Sequence, residues 1–250
     1  MENKAFYKNF ILIALPIAFQ NLITTLVNLV DNLMIGQLGD VPIASVGLAN
    51  KVFYIYTIIV FGICSGASAF ISQFWGKKDM QGIKRVVFID VFASFALSIL
   101  FFFPSFFAPE YLMKLLTNDL EVIKEGAVYL KIIAPSFLLT GVIFAFSYAL
   151  KSLEHPKIPL FASIISILVN TSLNYLLIFG KFGMPQLGVA GAAIGTLCAR
   201  IVEALFIFFF TYKKLGFLFE KFREYRGITK SFLAKFSGKV LPVIANETLW

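Results

Sequence analysis

Six long apolar stretches constrain this chain more than any other feature. They run Phe10–Ile35, Leu48–Phe74, Val86–Phe107, Val128–Leu150, Ile158–Gly180 and Val189–Tyr212. Each is close to or above the roughly 20 residues that a helix needs to cross a bilayer. They are predicted to be helices, because an open sheet leaves its backbone groups unpaired in lipid. A seventh run starts at Val240 and the sequence ends at Trp250, about half the length of a crossing. The expected fold class is therefore an all-α membrane protein: a six-helix N-terminal bundle plus the start of a seventh transmembrane helix. The expected organisation is a bundle at 1–212, a linker at 213–239, and a truncated second bundle from 240.

Composition agrees. Of the 250 residues, 59% are hydrophobic and only 14% charged, against about 25% charged in a soluble domain. The net charge of +8 does not point to nucleic acid, because the basic residues lie between apolar runs rather than in one patch. With the N-terminus placed inside, the inner segments carry sixteen Lys and Arg residues. The outer loops carry Lys114, Lys124 and Lys181. That imbalance predicts a multi-pass plasma-membrane (bacterial inner-membrane) protein with a cytoplasmic N-terminus. Lys213–Lys239 mixes basic residues with phenylalanines and reads as an amphipathic helix on the cytoplasmic leaflet; a solvated linker is the other reading. The apolar run from Phe10 is too long for a signal-peptide core.

Polar residues inside spans are costly and mark wet or functional faces. Span 1 carries Gln20, Thr24, Asn28 and Asp31 at helical spacing, so all four share one face. Pro16 lies one turn before Gln20 and removes a backbone hydrogen bond, which permits a bend. Span 5 carries Ser163, Ser166, Asn170 and Asn174 on one face. Those amides suit a carboxylate or a hard cation, and equally suit hydrogen bonds between helices. Gly191 and Gly195 open span 6 with a small-residue stripe for close packing. Thr196, Arg200 and Glu203 follow, with the last two spaced to pair. Lys51 and Asp90 read as residues near span ends, in reach of headgroups. Tyr54, Tyr56, Trp75 and Tyr111 read as an aromatic belt. Cys64 and Cys198 read as small buried residues.

Enzyme chemistry finds no support. The single histidine, His155, lies in a loop between Glu154 and Pro156. The sequence has no His-Glu-x-x-His helix, no Gly-x-Ser-x-Gly elbow and no phosphate-binding glycine loop followed by lysine.

Several stretches resemble the multidrug and toxic compound extrusion (MATE) family. They are Asn28–Gly39, Ala44–Ala49, Asn170–Gly180, Gly188–Thr196, and Leu241-Pro242 with Asn246–Trp250. The resemblance implies half of a twelve-helix transporter, with two six-helix bundles around a central cavity. It implies secondary-active export of amphiphilic, often cationic drugs, driven by sodium or protons, with no cofactor beyond that coupling ion and no enzyme activity. It also implies a monomer at full length. By position, Asp31, Asn170, Asn174 and Thr196 match the family's ion site, Pro16 its bending proline, and Glu247 an acid of the second bundle. Gln20, Thr24 and Asn28 are expected to line the cavity. Many members carry aspartate where this chain has Asn174, which implies weaker sodium binding here. Two alternatives are a lipid-linked saccharide flippase, which calls for several cavity arginines where only Arg200 lies in a span, and a passive channel or scaffold.

Overall fold

A computed structural model describes residues 2–219, 236–238, 240, 242–243 and 245–246; the side chains at 2–13, 24, 27 and 28 are outside this description. The linker reading for 213–239 and the acid Glu247 fall wholly or largely outside the described residues. The fold is all-α, with no strand among the described residues. The long helices are α1 (Glu2–Gly36), α2 (Asp40–Gly76), α3 (Met80–Phe107), α5 (Leu120–Ser152), α6 (Lys157–Phe179) and α7 (Val189–Lys214). A short α4 (Pro109–Lys114) links α3 to α5. Five helices, α2, α3, α5, α6 and α7, are long and apolar enough to cross a membrane. In α1 the corresponding apolar segment within the described side chains is Ala14–Ile23.

The helices run further than the apolar stretches alone predict. α2 begins eight residues before Leu48, α3 six before Val86 and α5 eight before Val128. Sequence hydropathy marks only the part that needs lipid, whereas a helix continues for as long as caps and neighbours satisfy its ends. Asp79 caps α3 by accepting a hydrogen bond from the Gly82 amide at 2.9 Å. Asp119 caps α5 by accepting from the amides of Glu121 and Val122 at 2.9 and 3.3 Å. Both are carboxylates at the positive end of a helix, where the exposed amides and the macrodipole favour them. α6 ends at Gly180, whose left-handed φ of 65° turns the chain back. The Leu187 amide then bonds the Leu177 carbonyl at 2.8 Å, closing the return to α7.

α5 is the axis of the bundle. It packs against α2 and α3 on one side and α7 on the other. α6 pairs closely with α7, and α1 rests mainly on α6. Gly191 makes the α6–α7 pairing possible, because a side chain there would run into the backbone of Leu177. Pro135 lies inside α5, with Ala134 and Phe137 beside it fully buried. Pro16 lies inside α1, where Leu15 and Phe19 are about half exposed.

Two readings of individual residues are corrected. Asp90 is not near a helix end in reach of headgroups: it is fully buried. Placing the start of the span at Val86 leaves Asp90 four residues from its boundary; the helix begins at Met80, which sets Asp90 about 15 Å along it. Tyr56 is not part of an aromatic belt. It is buried, and its hydroxyl donates to the Phe137 carbonyl and pairs with Ser98 Oγ, both at 2.7 Å. A phenol in a core needs such partners. Tyr54 and Tyr111 are exposed, as a belt requires.

Candidate functional site

The polar faces of α1, α6 and α7 converge on one carboxylate. Asp31 lies five residues from the end of α1, Asn174 five from the end of α6 and Thr196 seven from the start of α7. These offsets put all three roughly 8–10 Å inside the same end of the bundle. Asn174 Nδ2 donates to Asp31 Oδ1 at 2.9 Å. With its amide turned so that every partner is satisfied, Asn170 donates to both Asp31 oxygens at 2.9 Å. Its carbonyl then accepts from Thr196 Oγ1 at 3.2 Å and from the Thr196 amide at 3.3 Å. Asn170 and Asn174 are buried, whereas Asp31 and Thr196 are part-buried. The acid is thus held by neutral donors and keeps a path to the surface.

The same side chains offer oxygen as well as nitrogen. Asn174 Oδ1 is buried with no hydrogen-bond partner. Carboxylate, two amide carbonyls and a threonine hydroxyl are hard oxygen ligands of the type that group 1 and group 2 ions take. Asp31, Asn170, Asn174 and Thr196 are the residues that would hold a sodium ion, with both amides turning their carbonyls toward the carboxylate to do so. Gly195 completes the pocket: any side chain there would collide with the Asn174 amide. The glycine stripe of α7 therefore serves the site as well as packing.

A second polar layer lies further along the same three helices. Gln20 Nε2 donates to Ser163 Oγ at 2.9 Å, and Ser163 Oγ donates to Glu203 Oε1 at 3.3 Å. Arg200 Nη1 bonds Glu203 Oε2 at 2.6 Å. Glu203 is almost fully buried, so its pairing offsets much of the desolvation of its charge. Gln20 sits one turn beyond Pro16, so this layer pins α1 to α6 next to the proline. Ser166 bonds the Ala199 carbonyl at 3.2 Å and is structural. Lys51 is exposed. Thr24 and Asn28 are on α1, with side chains outside the described part.

Sequence reading missed two residues here. Tyr129 of α5 is buried, and its hydroxyl donates to Asn50 Oδ1 of α2 at 3.3 Å. It also neighbours Thr196, on the side of Asp31. Tyr129 falls at the very start of an apolar run and Asn50 is an isolated polar residue, so neither forms a stripe. Their link to the site depends on how α5 packs, which no local pattern encodes.

Comparison with known proteins places the chain in a family. The MatE family profile matches residues 16–176. An uncharacterised transporter, YisQ of Bacillus subtilis, is 30% identical over 172 residues, covering 69% of this chain and 38% of that protein. A probable multidrug resistance protein, NorM of Thermotoga maritima, is 26% identical over 221 residues, covering 86% and 46%. Among solved structures, an outward-facing multidrug resistance MATE family transporter superposes with a TM-score of 0.83 at 20% identity, over 96% of this chain and 52% of that one. The chain spans about half the length of the curated relatives it matches. From the profile match, the polytopic helical fold and the converging polar faces together, the chain belongs to the MatE family.

Proposed function

We infer that this chain forms the first helical bundle of a secondary-active exporter in the plasma membrane, with its N-terminus inside, moving amphiphilic and often cationic compounds against an inward flow of sodium ions or protons. The observation that carries this reading is the Asp31 carboxylate held by Asn170 and Asn174, with Thr196 behind them. Relatives named as probable multidrug resistance proteins support the drug-export part of this reading. Residues beyond this chain would complete the transport path.

The geometry suggests how the ion acts. Hydrogen bonds to an ionised carboxylate are about twice as strong as neutral ones. While Asp31 is charged, two amides of α6 hold α1 in place. A proton or a monovalent cation at Asp31 neutralises it and weakens that hold. α1 can then repack about Pro16, changing the cavity between inward-open and outward-open states. Asn174 in place of an acid leaves the site with one negative charge, matched to one monovalent ion. The lone in-span arginine, Arg200, is bound to Glu203, so it is not free to hold the pyrophosphate of a lipid-linked saccharide.

The test is dye efflux from vesicles containing the full-length transporter, with sodium and pH gradients imposed separately. Efflux should follow one of the two gradients, and Asp31→Asn should abolish that dependence. Efflux that ignores both gradients, or that keeps its gradient dependence in the Asp31→Asn variant, rules this reading out.

A further inference from the structure

The other half of the bundle contains a second buried acid that the Asp31 mechanism does not use. Asp90 of α3 is fully buried between α2 and α5. It makes no ion pair among the described residues. Ser94 Oγ lies 3.5 Å from its Oδ1, the Cys64 thiol of α2 neighbours the carboxyl, and Oδ2 is buried without a partner. The nearest charged residues along α3 are Lys84 and Arg85, at the inner end of the same helix and five to six residues away. On α5, Lys151 stands over the Tyr148 ring. On α2, Cys64 is the titratable group in contact with Asp90, and Tyr56 is committed to Ser98 and the Phe137 carbonyl. Added protein or lipid can only deepen this burial.

We propose that Asp90, with Ser94 and Cys64, is a proton-binding site in the core of the α2–α3–α5 half, separate from Asp31. An ionised carboxylate buried without a cation is far too costly to persist, and such a group neutralises instead. The neutralising ligand is a proton rather than a metal ion. A hard cation takes several oxygen ligands, and among the described side chains in contact with Asp90, Ser94 Oγ is the one that adds oxygen. The third neighbour is a thiol, which hard cations avoid. Polar contacts continue along the helix. Cys64 Sγ lies 3.5 Å from Ser94 Oγ, and Ser98 Oγ lies 2.7 Å from both the Ser94 carbonyl and the Tyr56 hydroxyl, donating its one proton to either. Gly141 of α5 packs on this string, where a side chain would meet Ser98, Tyr56 and the Ser94 carbonyl.

Infrared spectroscopy of the full-length transporter in lipid vesicles at neutral pH tests the assignment. The spectrum should contain the carbonyl stretch of a neutral carboxylic acid. Asp90→Asn should remove it, and Asp31→Asn should leave that component in place. Ser94→Ala should shift its frequency by removing a hydrogen-bond donor, and this variant decides the matter if Asp90→Asn does not fold. An acid band untouched by both Asp90→Asn and Ser94→Ala overturns the proposal. So does a carboxylate band that moves with sodium and is lost in Asp90→Asn.

Discussion

The two halves of this bundle treat a buried acid in opposite ways. In the α1–α6–α7 half, Asp31 is part-buried, contacted by two amides, and carried on a helix of whose described side chains Ile35 alone is buried within this chain. In the α2–α3–α5 half, Asp90 is sealed among tightly packed helices, beside a thiol and a serine. The prolines make the same contrast. Pro135 interrupts α5 between fully buried neighbours, whereas the neighbours of Pro16 in α1 are about half exposed within this chain. A missing hydrogen bond becomes a hinge only where packing leaves room to bend. On the function proposed above, the first half exchanges an ion and moves, while the second stays put.

The strongest way to break that contrast is to remove the mobile acid. Asp31→Asn should reduce gradient-driven efflux to the level of empty vesicles, measured as dye loss, with the protein still folded. Next, Leu130→Ala in the core of α5 should lower stability by about 2–5 kcal/mol, read from chemical unfolding in detergent. Gly195→Ala should have a mixed effect. It should lower stability by about 1–3 kcal/mol through overpacking, and should also weaken apparent ion affinity by displacing the Asn174 amide, read from the ion dependence of efflux. Tyr56→Phe removes a hydroxyl with two buried partners and should cost about 1–3 kcal/mol, with the ion dependence of efflux unchanged. Leu26→Ala, on the open side of α1, should change stability by less than about 0.5 kcal/mol. If Leu26→Ala costs as much as Leu130→Ala, the two halves are equally tight and the comparison fails.

The same contrast explains what the sequence disclosed. Asp31 was legible because its stripe repeats at helical spacing along α1 and has a matching stripe on α6; two amphipathic faces of like polarity have few ways to meet. The pairing of Arg200 with Glu203 was legible because it is local to one turn. Asp90 was misread because hydropathy placed the start of α3 too late, and because a single acid without a stripe carries no direction. Tyr56 was misread for a similar reason: its two partners, on α3 and α5, are distant in sequence. Tyr129 and Asn50 belong to the same class. Patterns within one helix are visible in the sequence, whereas contacts made by packing three helices are not.

The glycine contact between α6 and α7 has a further consequence. With no side chain at Gly191 or Gly195 to act as a spacer, the two helices pack closely as one plate bearing Asn170, Asn174 and Thr196. On the function proposed above, α1 is then the helix that would alter the coordination number of a captured ion. Withdrawing that one helix takes away the sole full negative charge and leaves a ring of neutral oxygens. A single lever would thus suffice to eject the ion, with no rearrangement inside the plate.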